Sequence, residues 1–429
     1  MMNLKRREFI HSAALGTALA GTGLVTGCAS IGGNSAKVVV IGGGYAGATA
    51  AKYVRKWSDY SIDVTLIEPN ASFISCPISN LVIGGSKTMA DITTPYDNLG
   101  KRHGVKLVNG FVARIDAEKR MVHLADGSAL PYDRLILSPG IDFMWEALPG
   151  MNKPGAQEKV LHAWKAGPQT VALRKQLESM PDGGTFAISI PLAPYRCPPG
   201  PYERACQVAD YFSKAKPKSK VLILDANDDV TSKGGLFKKA WAERYKGIIE
   251  YRPKHNLTDV DVATNTLKFE FNDDIKANVL NVLPPMRAGS IAVQTGLATA
   301  NKRWCEVDFL TFEAKAAKNI HVLGDSIQVA PLMPKSGHMA NQHGKTCAAA
   351  VVALLTGQEP NQLPIYNNTC YSFVSSEDVV HVASVHRYDA EKKTMLTVPG
   401  SGGVSSAASE LEGRYAMAWA RNIWADTLA

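Results

Sequence analysis

Short apolar runs alternate with helical patterns along the chain, most clearly near its N-terminal end. Residues 37–41 read Lys-Val-Val-Val-Ile, a run rich in β-branched residues that predicts a buried parallel strand. The alanine-rich stretch from residue 45 predicts a helix, and little but glycine separates it from the strand. Residues 63–67 form a second apolar run and predict the next strand. This alternation predicts an α/β unit with a parallel sheet.

The turn between the first strand and helix carries three glycines at a characteristic spacing. Gly42, Gly44 and Gly47 form a G-x-G-x-x-G pattern: the first permits a tight turn, the second lets backbone approach a pyrophosphate, and the third packs helix on strand. Glu68 ends the second strand 21 residues beyond Gly47, where a carboxylate reaches a ribose 2′-hydroxyl. Strand, helix and acid together predict a dinucleotide site, whereas the glycines alone also fit a turn without a ligand.

Three later segments suit the same cofactor if it is FAD. An apolar strand ends in a small-residue turn at Gly140, similar to the turn by which flavoprotein reductases return to the flavin. The strand from residue 319 ends in Gly-Asp, and Asp325 is expected where a carboxylate meets the ribityl chain. Lys335 then precedes an alanine-rich helix predicted over residues 346–355, whose dipole would favour the reduced, anionic flavin.

A second nucleotide-binding unit is predicted to begin with the apolar strand 183–190, but its corner differs from the first. Residues 191–205 contain five prolines together with Cys197 and Glu203. Prolines remove backbone donors and stiffen the loop, which is the reverse of a pyrophosphate cradle. We therefore expect that nicotinamide binding has been lost here. The next strand ends in Asp225, an acid without a clear ribose to hold.

The chain of 429 residues is too long for one core. The predicted fold class is α/β, with two dinucleotide-binding (Rossmann-like) domains of the disulfide-reductase type plus a C-terminal α+β interface domain. The expected segments are an export signal (1–30), the first part of the FAD-binding domain (36–150), a second nucleotide-binding-like domain without its NAD site (151–278), the second part of the FAD-binding domain (279–356) and the interface domain (357–429). A simple packing helix remains the alternative for the last segment.

Charge and the N-terminal pattern bear on location and partners. Lys5, Arg6 and Arg7 followed by the apolar run 13–25 predict a twin-arginine type export signal and a periplasmic protein. The run ends before Cys28 in a sequence that resembles a lipobox, so Cys28 is either an acylated anchor, the only membrane contact expected, or lies upstream of ordinary cleavage. Net charge is +8 without a long basic block, which argues against a nucleic-acid partner.

Histidine and cysteine spacing limits the metal and haem chemistry. His338 and His343 are predicted to be surface or capping residues, and no spacing suggests a metal site. None of the cysteines forms C-x-x-C-H, so this chain carries no c-type haem of its own. The seven cysteines are Cys28, Cys76, Cys197, Cys206, Cys305, Cys347 and Cys370.

Two cysteine environments remain open from position alone. Cys76 follows the second strand in a loop expected to pass the flavin ring, yet it also fits a buried free thiol. Cys370 lies 173 residues after Cys197, and the sequence does not decide whether the two meet. A disulfide between them would be structural, or redox-active if it lay against the flavin.

These segments resemble the flavoprotein subunit of flavocytochrome c sulfide dehydrogenase. The resemblance runs from about residue 37 to the C-terminus and is carried by residues 64–70, 75–76, 195–205, 333–337 and 368–372. It implies FAD attached through a thioether to Cys76 and a redox-active disulfide between Cys197 and Cys370. It also implies a heterodimer with a c-type cytochrome subunit that carries the haem.

We therefore expect a sulfide-cytochrome-c reductase in which Cys197, Cys370 and Glu203 are catalytic. Hydrosulfide would open the disulfide, electrons would pass through FAD to the cytochrome, and sulfur would leave as zero-valent sulfur or polysulfide. Glu203 is a candidate proton acceptor or, equally, a surface carboxylate. The alternatives are a sulfide:quinone oxidoreductase, an NAD(P)H-dependent reductase and a non-catalytic sulfur-binding flavoprotein.

Overall fold

The computed structural model describes residues 35–429, so the predicted export signal and Cys28 lie outside the described residues. Its first sheet has five parallel strands, and the glycine turn follows the central one. In spatial order the strands are Ile320–Val322, Arg134–Leu137, Lys37–Ile41, Asp63–Ile67 and Lys106–Val108. The strand Lys37–Ile41 is buried from Val38 onward, as its apolar run predicts.

Two long helices pack together on this sheet. Tyr45–Trp57 follows the glycine turn, and Gly337–Leu355 begins nine residues earlier than predicted. Gly344 explains the hidden part of the second helix, because a Cβ there would lie 2.6 Å from the Ala46 carbonyl oxygen. The small residues that weaken the helical pattern are therefore needed for close packing.

A second parallel sheet forms the second domain. Its strands are, in order, Ile249–Arg252, Lys220–Asp225, Thr185–Ile190 and Val279–Val282. The predicted boundary at residue 279 is wrong, because Val279–Val282 pairs with Thr185–Ile190 and so still belongs to this domain. A fully buried strand reads the same in either sheet, and the sequence pattern therefore could not assign it.

Smaller elements connect and flank the two sheets. The chain crosses between the domains where Ile141–Phe143 pairs antiparallel with Met286–Ala288. The other described strands before residue 357 are Ser72–Ile74, Thr93–Pro95, Val112–Asp116, Met121–Leu124, Ala129–Pro131, Leu257–Asp261, Thr266–Phe269 and Ile275–Lys276. The remaining α-helices of that part are Ser79–Gly84, Asp97–Lys101, Ala156–Lys159, Pro168–Ser179, Gly200–Ala215, Gly234–Glu243 and Ser290–Gln294.

The C-terminal segment is an antiparallel sheet followed by one long helix. Its strands are Ile365–Phe373, Val379–Asp389, Thr394–Thr397 and Gly403–Val404, and its helix is Glu410–Leu428. The helix packs on Tyr45–Trp57, where Lys52 Nζ donates hydrogen bonds to the Ala425 and Asp426 carbonyls at 3.2 and 2.9 Å. This end of the helix is thus an internal packing element. Across the described residues, no helix combines the length and the apolarity needed to cross a membrane.

Candidate active site

The three motif glycines divide into two structural roles. Gly42 has a φ of +94°, and a Cβ there would lie 2.3 Å from the Ser138 carbonyl oxygen. A Cβ on Gly47 would lie 1.9 Å from the Gly42 carbonyl oxygen. Gly44, by contrast, has open space around its missing Cβ and lines a cavity. The first and third glycines therefore close the turn, and the second leaves room for a ligand.

Glu68 holds the glycine turn as well as lining the cavity. Its Oε2 accepts a hydrogen bond from the Gly43 amide at 2.7 Å, and its Oε1 accepts from the Asn70 amide at 2.9 Å. The carboxylate thus lies at the carboxyl end of the strand, next to the turn that it was predicted to serve.

The cavity brings together most of the predicted site residues. It has a volume of about 340 Å³ and runs between the glycine turn, the proline-rich corner and the C-terminal strand. The predicted residues that line it are Gly44, Glu68, Cys76, Gly140, Cys197, Glu203, Asp325 and Cys370. Residues from segments far apart in sequence therefore share one pocket, as expected of a cofactor site.

Two buried polar atoms beside the cavity have no partner among the described residues. They are Oδ1 of Asp325 and Nε1 of Trp164, and both residues line the cavity. Buried polar groups are normally satisfied, so these atoms suit a ligand with hydroxyl and ring-acceptor groups. Residues Gly337–Leu355 form a 19-residue helix whose first residues also line the cavity. These features fit FAD.

Lys335, another predicted cofactor residue, supports the site from outside the cavity. Its Nζ donates to the carbonyls of Asp325 and Ile327 at 2.9 and 2.6 Å. Burial lowers the pKa of Lys335 to about 7, opposed by the charge of Asp325. Lys335 therefore holds the Asp325 turn in place, and its carbonyl accepts from the Cys197 amide at 2.9 Å.

Cys76 lies in a polar corner of the cavity. The Ala166 amide donates to its Sγ at 3.4 Å, and the sulfur lies 3.8 Å from the Trp164 carbonyl oxygen. Arg196 donates to the same carbonyl and also lines the cavity. Donor groups around a sulfur favour its thiolate form, which is the nucleophilic one.

Cys197 and Cys370 line the same cavity, which answers whether these distant residues can meet. The structure has both as thiols. Burial, reinforced by the nearby charge of Cys370, raises the pKa of Cys197 to about 12. Cys197 has a φ of +59°, an uncommon conformation for a residue with a side chain, so the proline-rich loop holds it in a constrained position.

Glu203 is buried and lines the cavity, so the alternative of a surface carboxylate is wrong. Its Oε1 accepts from the Phe373 amide at 2.9 Å, and its Oε2 accepts from Asn80 Nδ2 at 2.9 Å. Burial raises the pKa of Glu203, and these hydrogen bonds oppose the shift together with Lys233 and Arg204. A carboxyl group with a raised pKa is suited to accept and release a proton near neutrality.

The acid of the second domain is already occupied by protein groups. Asp225 Oδ2 accepts from the hydroxyls of Tyr202 and Tyr251 at 2.7 and 3.1 Å, and Oδ1 accepts from the Asn227 amide at 3.0 Å. Tyr202 is fully buried on the helix that follows the proline-rich corner. The tyrosines thus hold the carboxylate that a nicotinamide ribose would need in this fold.

The sequence did not reveal several neighbours of the cysteines. Lys233 donates to the Cys370 carbonyl at 2.9 Å, and its Ser-Lys-Gly-Gly segment carries no chemical pattern. Trp164 and the Cys197 sulfur both approach Gly200, at 2.7 and 2.9 Å from where its Cβ would be. The surface or capping role predicted for His343 is wrong, because it lies buried against Phe312.

Comparisons with known proteins agree with this geometry. The chain matches "Sulfide dehydrogenase [flavocytochrome c] flavoprotein chain, central" over residues 170–284 and "Flavocytochrome c sulphide dehydrogenase, flavin-binding" over residues 362–428. It matches "Pyridine nucleotide-disulphide oxidoreductase" over residues 36–185. A stretch of 46 residues is 59% identical to the sulfide dehydrogenase flavoprotein chain of Chlorobaculum thiosulfatiphilum, covering 11% of this chain and 94% of that sequence.

Sulfide:quinone oxidoreductases are also similar. The mitochondrial protein of Mus musculus is 26% identical over 357 residues, or 79% of this chain and 76% of that one. The structure of the Aquifex aeolicus sulfide:quinone oxidoreductase has a TM-score of 0.73 at 18% identity and covers 91% of both chains, a likeness of fold. The predicted α/β fold and the predicted family are confirmed, and FAD is the cofactor that this cavity suits. The chain belongs to the family of flavocytochrome c sulfide dehydrogenase flavoprotein chains.

Proposed function

We propose that this protein is an FAD-dependent oxidoreductase that oxidises sulfide with Cys197 and Cys370 as its reactive pair. One observation carries the proposal: these two cysteines share a cavity with Cys76, Glu203 and the Gly44 turn. A flavin site and a pair of sulfur nucleophiles therefore adjoin. The family relationship and the similarity to sulfide:quinone oxidoreductases support sulfide as the substrate.

The proposed reaction begins at a disulfide between Cys197 and Cys370. Hydrosulfide attacks one sulfur, the S–S bond breaks, one cysteine keeps a persulfide and the other leaves as a thiolate. Glu203 accepts the proton of the persulfide. A second hydrosulfide removes the outer sulfur as polysulfide, and the dithiol that remains is oxidised back to the disulfide. FAD bound in the cavity would accept the two electrons and release them singly.

Covalent attachment of FAD is proposed at Cys76. The Ala166 amide at 3.4 Å and the nearby Arg196 would stabilise its thiolate. A periplasmic location, with or without a lipid at Cys28, is proposed from the sequence of residues 1–28 alone.

The proposed electron acceptor is a c-type cytochrome subunit. Two family matches bear the flavocytochrome name, and the chain has no C-x-x-C-H motif, so the haem would reside on a partner. A quinone is the second candidate, because the similarity to sulfide:quinone oxidoreductases extends over 79% of the chain. NAD(P)H is disfavoured as a donor by the tyrosines that hold Asp225.

Persulfide trapping tests the chemistry and an acceptor comparison tests the partner. The chain is mixed with sulfide, quenched with iodoacetamide and analysed by peptide mass spectrometry. We expect an extra sulfur on Cys197 or Cys370 in wild type and none on Cys206, a buried thiol outside the cavity. Sulfide-dependent reduction of cytochrome c faster than that of a soluble quinone supports the cytochrome, and the opposite order supports the quinone.

A further inference from the structure

A buried lysine contacts the strand that carries Cys370. Lys233 precedes the helix Gly234–Glu243 with a φ of +56°. Its Nζ donates to the Cys370 carbonyl at 2.9 Å and to the Ser372 hydroxyl at 2.7 Å. Both acceptors are uncharged, so the hydrogen bonds alone leave the buried ammonium without a counter-charge.

A charge taken out of water is stable only beside an opposite charge. Four ionisable groups lie close enough to influence Lys233: the thiols Cys197 and Cys370 and the carboxyls Glu203 and Glu412. Glu412 is already paired, because its Oε2 lies 2.9 Å from His381 Nδ1 and accepts from Ser405 Oγ at 2.6 Å. Glu203 and the two cysteines are therefore the groups left to balance Lys233.

We propose that Lys233 is a positioning residue that supplies the counter-charge for the cysteine thiolate formed when the Cys197–Cys370 disulfide opens. This inference deepens the proposed function and rests on it. In the disulfide state, the Glu203 carboxylate balances the ammonium. When hydrosulfide breaks the S–S bond, the new thiolate provides the negative charge, and Glu203 takes up the proton of the persulfide. The cluster thus holds one anion beside one cation before and after the step.

The electrostatics of the cluster agree with this exchange. Burial lowers the pKa of Lys233 to about 8, and the charges of Cys370, Glu203 and Cys197 oppose that shift. Burial raises the pKa of Cys197, and Arg196 and Lys233 are the cations that oppose it. Arg204, the other buried cation near Glu203, donates instead to the carbonyls of His162 and Ala163 and to amide oxygens.

Alkylation kinetics of the dithiol test this role without any sulfide. The full-length, flavin-loaded chain is reduced with dithiothreitol and reacted with iodoacetamide across a pH series, and each cysteine is followed by peptide mass spectrometry. In Lys233→Met we expect the pH midpoint of the more reactive cysteine of the pair to rise by about one unit, so that alkylation at neutral pH slows about tenfold. Lys233→Gln, which keeps a donor but loses the charge, should slow it equally.

Lys216→Met is the matched control. Lys216 is also buried, and its Nζ donates to the carbonyls of Glu178, at 2.7 Å, and Met180. This variant should keep the wild-type midpoint. A wild-type midpoint in Lys233→Met and Lys233→Gln, with normal circular dichroism and flavin content, would overturn the inference.

The outcomes also separate this inference from the proposed function. A raised midpoint in the Lys233 variants, in a protein whose flavin sulfide does not reduce, would refute the proposed function and retain Lys233 as the thiolate's counter-charge. An unchanged midpoint in a protein whose flavin sulfide reduces would refute the role of Lys233 alone.

Discussion

Alanine at Gly44 should remove FAD while leaving the fold intact. A Cβ at this position meets no atom within 4 Å, and Gly44 has a φ of −69°, which alanine adopts readily. Because the position is the N-cap of a helix, the loss in unfolding free energy should stay below about 1 kcal/mol. The methyl group would instead occupy the space left for a pyrophosphate. Loss of one hydrogen bond to a charged group costs about 1.5 to 3 kcal/mol, or about ten- to 150-fold in Kd.

Gly47→Ala provides the contrast. Its Cβ would lie 1.9 Å from a backbone oxygen of Gly42, so the turn must shift, at a cost of about 1 to 3 kcal/mol or more in folding free energy. The assay measures Kd by titrating apoprotein with FAD and stability by urea unfolding of the same apoprotein, both in a Cys76→Ser background that excludes covalent attachment. Wild-type FAD affinity in Gly44→Ala, or wild-type stability in Gly47→Ala, would refute these assigned roles.

Three further predictions follow from named contacts. Cys76→Ser should release its flavin on acid denaturation, whereas wild type should keep a fluorescent flavin band on a denaturing gel; a band in the variant would exclude Cys76 as the attachment site. Tyr202→Phe removes a hydroxyl that donates to the buried Asp225 at 2.7 Å, so urea unfolding should show a loss of about 1.5 to 3 kcal/mol, and a change under about 0.5 kcal/mol would contradict this. Because burial raises the pKa of Glu203 above its ordinary value of 4.5, its contribution to stability is present at low pH and lost as pH rises through the raised pKa. Relative to wild type, Glu203→Gln should therefore gain unfolding free energy between mildly acidic and neutral pH in urea titrations, and parallel pH profiles would contradict the assigned burial effect.

Local patterns predicted the first domain well. Val38 to Ile41, the glycine turn and Glu68 lie within one continuous strand–helix–strand unit, so sequence spacing alone defines their geometry. The same reasoning identified the altered corner at Cys197, because five prolines within 15 residues exclude a pyrophosphate cradle.

The rest depends on contacts between distant segments. The strand Val279–Val282 was assigned to the wrong domain because burial on both faces erases the pattern that would distinguish the sheets. Glu203 and Lys233 gain their chemistry from the strand Ile365–Phe373, more than 130 residues away in sequence. Only the resemblance to a known family, and then the fold, brought Cys370 to the same cavity.

Anaerobic stopped-flow absorbance of the flavin tests the central claim most directly. The purified, flavin-loaded chain is mixed with sulfide, alongside Cys197→Ser, Cys370→Ser and the buried-thiol control Cys347→Ser. We predict rapid bleaching in wild type and in the control, and no bleaching in the two cavity variants. Bleaching that survives both substitutions, or a flavin that NADH reduces and sulfide does not, would contradict the disulfide-dependent oxidation of sulfide.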